Sequence, residues 1–124
     1  MNTDALTAFQ NDYLATWTEP DAARRRANIE HVWAADGRLA VSSLGITIEG
    51  VANIDAHISR VHDDLIAGKG LTFRYEQHIK GDDSLLLRWS MLMPSGEVAS
   101  RGVDIVFRDS QGRVQRVYMF MGVN

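Results

Sequence analysis

Cysteine is absent from the 124-residue chain, so disulfides, thiolate nucleophiles and thiolate metal sites are excluded and the redox compartment is left open. Basic excess is absent too. The net charge is −3, and no basic face of the kind a nucleic-acid binder presents stands out, so no nucleic-acid partner is expected. No apolar run approaches the roughly 20 residues needed to cross a bilayer. The opening Met-Asn-Thr-Asp-Ala-Leu lacks both the basic start and the apolar core of a signal peptide. No membrane partner is expected, and residence in the cytoplasm is the default. His31, His57, His62 and His78 show neither His-x-x-x-His spacing nor clustered carboxylates, so no metal site is expected. What is present is ordinary for a globular chain: 45% hydrophobic and 23% charged residues. At this length residues 1–124 are expected to form a single domain with a core of its own.

Leu6, Phe9, Tyr13 and Trp17 recur at steps of three and four, one face of a helix that Thr3 or Asp4 would cap. Pro20 stops it and suits the first turn of a second helix, predicted over about Asp21–Ala34 with Ile29, Val32 and Trp33 inward. Asp36-Gly37 is expected to end that helix in the left-handed position, ahead of a short strand over Arg38–Ser43. After a glycine-punctuated loop, Val51, Ile54, Ile58, Val61 and Leu65 mark a third helix, closed by Gly68-Lys69-Gly70. Arg24-Arg25-Arg26 cannot form one phosphate cradle, because consecutive helical residues point about 100° apart. Asp21 is expected to pair with Arg25 on a solvated helix surface.

From Leu71 the period changes to two. Strands are predicted over Leu71–Ile79, Leu85–Met93, Glu97–Arg108 and Arg113–Met121, joined by Gly81-Asp82-Asp83, Pro94-Ser95-Gly96 and Asp109-Ser110-Gln111-Gly112. Helices first and a meander last predict an α+β fold: three N-terminal helices on a curved antiparallel sheet, forming a cone around an apolar pocket. Closing the hairpins sets Leu87 and Val117 opposite Asp104, and Trp89 and Met119 opposite Gly102. One face then carries Phe73, Tyr75, Gln77, Leu87, Trp89, Met91, Gly102, Asp104, Val117, Met119 and Met121, an apolar surface with one carboxylate near its middle. Gly102 beneath Trp89 is what a large ring packed on the backbone requires. The other face carries Val103, Ile105, Tyr118 and Phe120 among arginines. The helices can cover only one face, so a homodimer through the second is expected.

The order helix, helix, short strand, helix, meander resembles the nuclear transport factor 2-like superfamily, which includes ketosteroid isomerases and SnoaL-like polyketide cyclases. Locally the resemblance rests on Tyr13, on Trp33-Ala34-Ala35-Asp36, on Glu49-Gly50, on Gly102-Val103-Asp104 followed by Phe107, and on the turn into Gly112-Arg113-Val114. In ketosteroid isomerases a helix-one tyrosine and a protonated aspartic acid on the penultimate strand donate hydrogen bonds to a developing oxyanion, and an aspartate on the first strand moves the proton. The resemblance implies that Tyr13 is that tyrosine and Asp104 that acid. At the base position stands Val41, which cannot take a proton.

Asp104, among apolar neighbours, is expected to be desolvated and raised in pKa, either as a functional acid or as a structural aspartate satisfied by a donor. Tyr13 is a donor or a packed core ring, and Tyr75 and Gln77 are polar handles in the same pocket or packing groups. His57 borders the apolar stripe of helix three and is the candidate second base, against the plainer reading of a histidine that reaches water. Met91, Met93, Met119 and Met121, near one end of the sheet, line the pocket or simply fill the core. The leading expectation is a cofactor-free enzyme that moves a proton on a small apolar carbonyl compound, by isomerisation or cyclisation. The alternatives are a non-catalytic ligand-binding or dimerisation module, and limonene epoxide hydrolase-like chemistry, which would need an aspartate–arginine–aspartate set in the pocket.

Overall fold

A computed structural model describes residues 3–123, with side chains from Ala5 onward. The expected cap at Thr3 or Asp4 therefore lies outside the described side chains. Helix α1 (Thr3–Thr18) turns Leu6, Tyr13 and Trp17 inward, with Phe9 half-buried on the same stripe. Helix α2 (Ala22–Val32) starts where Asp21 accepts the Arg24 amide at 2.8 Å. That carboxylate satisfies one of the free amides of the first turn, which stabilises the helix by about 1 kcal/mol. Asp21 is therefore a cap, and it forms no pair with Arg25. Arg25 is itself 2% exposed, where a solvated surface was expected. Its guanidinium donates to the Glu19 carbonyl at 2.7 Å and to Ser59 Oγ at 3.3 Å, tying the end of α1 to the third helix.

The second helix stops before Asp36-Gly37, and the chain passes directly into strand β1 (Trp33–Val41). Gly37 is not in the left-handed conformation. A Cβ there would stand 2.6 Å from Trp33 Cε3, so the glycine admits the buried Trp33 ring and caps nothing. A short strand β2 (Ile46–Glu49) occupies what reads in the sequence as loop. Helix α3 (Val51–Val61) buries Ile54, His57 and Ile58 and loosens into a π-helical turn over His62–Ala67. Strands β3 (Thr72–Lys80), β4 (Ser84–Leu92), β5 (Val98–Arg108) and β6 (Val114–Met121) follow.

The sheet runs β2-β1-β6-β5-β4-β3. It is mixed, because β1 lies parallel to β6 while the other neighbours are antiparallel. Among the described residues, three α-helices pack on one face of this open sheet, the α+β cone expected. Leu87 lies opposite Asp104 and Trp89 opposite Gly102, as the turns predict. On β6 the register is two residues further along: Asp104 faces Met119 and Gly102 faces Met121. A loop one residue longer than assumed and a bulge before Arg116 each add one residue. Two such shifts leave every side chain on its predicted face. A bulge in β3 between Tyr75 and Gln77 adds only one, and it turns Gln77 out of the pocket to meet Arg88 at 3.4 Å in solvent.

Candidate functional site

Asp104 projects from the middle of β5 into the space beneath the helices and is 3% exposed. Two residues up the neighbouring strand, the Trp89 indole donates from Nε1 to Asp104 Oδ1 at 3.0 Å. The ring can lie there because Gly102 opposite carries no side chain; a Cβ would also press on the Phe120 carbonyl at 2.6 Å. From α1 the Tyr13 hydroxyl approaches Oδ2 at 3.5 Å, a long and weak donor contact. Burial pushes the Asp104 carboxyl up from its usual 3.8 to about 7, and the Trp89 and Tyr13 hydrogen bonds only partly offset it. Burial, and then the Asp104 charge, push the hydroxyls of Tyr13 and Tyr75 well above the usual phenol range. Near neutral pH the site thus holds one carboxyl divided between acid and base forms, beside phenols that stay protonated. Such a group can give a proton or take one.

Beside Asp104 opens a cavity of about 200 Å³. The helical side supplies Leu14 and Trp17 from α1, and His57, Val61 and Leu65 from α3 and its π turn. The sheet supplies Val41, Phe73, Tyr75, Trp89, Met91, Met119 and Met121, and the turn after β1 adds Ser43 and Leu44. His57 is 6% exposed and meets Trp17 edge-on, with ring centroids 6.3 Å apart. Burial and then the Arg60 charge hold its imidazole below the usual histidine range. It is therefore neutral at pH 7, with a ring nitrogen able to accept a proton. His62 donates from Nδ1 to the Trp17 backbone carbonyl at 2.8 Å, which joins α1 to the π turn.

Val41 stands in the cavity wall at the position the resemblance gives to the proton-moving aspartate. Leu87 and Val117, expected in the wall, are fully buried in the core beneath it, and Gln77 is outside. Tyr13 reaches Asp104 from behind the wall without lining it. Leu14, Trp17, Ser43, Leu44, Val61 and Leu65 line the cavity without having been assigned to it. Trp17, Val61 and Leu65 belong to the apolar helix stripes and were legible as inward; Leu14, Ser43 and Leu44 carried no such signal. Of the lining residues only Asp104 is a carboxylate and none is arginine, so the aspartate–arginine–aspartate set is not assembled. Among the described residues no three His, Asp or Glu side chains cluster as metal ligands, and no helix is long and apolar enough to cross a membrane.

A wider depression of about 570 Å³ lies between β1, β2 and β6. Its charged groups are exposed and partnered, Arg38 with Glu49 at 3.6 Å and Asp36 with Gln115 at 3.2 Å. It holds no desolvated titratable group of the kind that Asp104 brings to the smaller cavity.

No protein-family model and no curated protein matches the chain. Solved structures do. One is a candidate isomerase of the SnoaL-like family from Agrobacterium tumefaciens, 25% identical, covering 93% of this chain and 95% of its own, with a TM-score of 0.82. A candidate polyketide cyclase from Sinorhizobium meliloti is 14% identical over 96% of this chain and 99% of its own, with a TM-score of 0.70. A candidate ketosteroid isomerase from Kribbella flavida is 17% identical over 94% and 77%, with a TM-score of 0.65. By these likenesses the chain has the nuclear transport factor 2-like fold, shared with SnoaL-like and ketosteroid isomerase-like proteins.

Proposed function

We propose that the chain is a small-pocket enzyme that moves a proton on an apolar carbonyl compound, by isomerisation or cyclisation, without metal or organic cofactor. The observation that carries this is the desolvated Asp104 carboxyl, raised to about 7, in the wall of an apolar cavity. In its acid form Asp104 donates to the carbonyl oxygen as negative charge develops there, where a fixed donor in a dry site acts most strongly. Tyr13 and Trp89 orient it. His57, neutral and in the opposite wall, takes the carbon-bound proton that Val41 cannot. Two chains pair through the outer sheet face, where Tyr118 and Phe120 are 40% and 41% exposed. The names of the neighbouring structures, a candidate isomerase and a candidate cyclase among them, agree with this reading.

The test is deuterium exchange at the carbon beside the carbonyl of 2-cyclohexenone in heavy water, followed by proton resonance. Exchange above the buffer rate, falling by about 10²–10⁴-fold in His57→Ala, is the expected result. A cyclohexenone that binds but exchanges no faster than in buffer would leave a ligand-binding module of the same fold.

A further inference from the structure

We propose that the phenol meeting the ligand is Tyr75 of β3, not Tyr13 of α1, and that the ligand is a one-ring compound whose oxygen hydrogen-bonds between Tyr75 and Asp104. The proposal rests on reading the cavity as a small-molecule site, and it concerns binding, not turnover.

Tyr13 is fully buried and lies in the core behind the cavity. Its ring stacks on Phe9 with centroids 6.0 Å apart and leans on Trp33 at 6.4 Å. Its hydroxyl is directed to Asp104 Oδ2, so it supports the carboxyl from the side away from any guest. Tyr75 is placed differently. Its ring is part of the cavity wall, packed both against the main core that holds Tyr13 and Leu87 and against the smaller cluster of Leu71, Trp89 and Met91. The Asp104 charge is felt at its hydroxyl, yet among the described residues that hydroxyl has no hydrogen-bond partner. Tyr75 is half-buried and its hydroxyl is not sealed in the core, so in this apolar wall it is a donor free to meet a guest. Trp89 already occupies Asp104 Oδ1. Tyr13 makes only a long contact with Oδ2, so a ligand oxygen entering from the cavity that both residues line meets the Tyr75 hydroxyl and Asp104 Oδ2.

Size sets the rest of the ligand. The cavity holds about 200 Å³, and an apolar protein cavity of about 150 Å³ is known to take benzene. One ring with a small substituent fits between Trp17, Phe73 and Met119; a four-ring skeleton does not.

Calorimetric titration of the full chain with phenol and with toluene tests this, since the two differ only in the oxygen function. Both are expected to bind. Tyr75→Phe weakens phenol about tenfold, the loss of one hydrogen bond, and leaves toluene unchanged; Tyr13→Phe weakens phenol by less. Estradiol, with four rings, does not displace phenol. Equal losses for phenol and toluene in Tyr75→Phe, a larger phenol loss in Tyr13→Phe, no phenol binding, or displacement by estradiol would each overturn the proposal. Phenol binding with the expected Tyr75 dependence, but no exchange on cyclohexenone, overturns the catalytic reading alone. Exchange that survives Tyr75→Phe and falls in Tyr13→Phe overturns this one alone.

Discussion

Two donors reach the Asp104 carboxylate, yet its pKa rises, because removing the ion from water costs more than one good and one long hydrogen bond return. The linkage to stability follows. The folded chain holds this proton more tightly than the unfolded one, so Asp104 lowers stability as pH climbs from about 4 through about 7, and has no further effect above that. A rise from 3.8 to about 7, at 1.36 kcal/mol per unit, makes the loss about 4 kcal/mol. Urea unfolding between pH 4 and pH 8 is expected to show this decline in the wild type and a flatter profile in Asp104→Asn. Equal slopes would remove Asp104 as the source. Val41 offers the complementary experiment. Val41→Asp places a carboxyl in the cavity wall at a cost of about 1–3 kcal/mol and is expected to raise deuterium exchange on 2-cyclohexenone above the wild-type rate. A folded variant that binds cyclohexenone with no gain in exchange would show that position 41 does not reach the reacting carbon.

At the scale of elements, the β4–β5 pair holds the site through one glycine. Gly102→Ala drives a methyl into the Trp89 ring and the Phe120 carbonyl, so it is expected to cost about 1–3 kcal/mol as overpacking and to shift the Trp89 indole N–H resonance as its bond to Asp104 is displaced. An unmoved resonance would contradict the contact. The Trp89–Gly102 and Leu87–Asp104 pairs stand as the hairpin reading of the sequence sets them, with a bulge beside Met91 and Leu92 adding one β5 residue between them and the Met93–Glu97 turn. The bulge in β3 was not legible. Nothing in Tyr75-Glu76-Gln77 signals an extra residue, and one extra residue sends Gln77 to solvent. The end of α2 misled for a related reason: Asp36-Gly37 reads as a helix stop, whereas the glycine serves a contact with Trp33 that exists only after folding. Arg25 follows the same logic, its partners at Glu19 and Ser59 being brought together by the meeting of three helices. The short strand Ile46–Glu49 shows no clear two-residue burial period, since most of it remains exposed at the sheet edge.

For the whole molecule, the helices cover one face of the sheet, and Tyr118 and Phe120 remain about two-fifths exposed on the other. Arg116 lies over Phe107 at 4.2 Å, so this face is apolar with a cationic rim. Light scattering at micromolar concentration is expected to give twice the mass of the chain, and Phe120→Glu to give a monomer. A monomeric wild type would contradict the pairing. Helix α1 lies far along the chain from the β4–β5 hairpin, with 91 positions between Tyr13 and Asp104, so the environment of Asp104 exists only in the assembled fold. The central claim, that this assembly makes a neutral-pH acid of an ordinary aspartate, is tested most directly by following the Asp104 carboxyl carbon through a nuclear magnetic resonance titration of the native and the urea-unfolded chain. The account predicts a midpoint of about 7 in the native protein and about 3.9 in the unfolded one. A native midpoint at or below the unfolded value would contradict it.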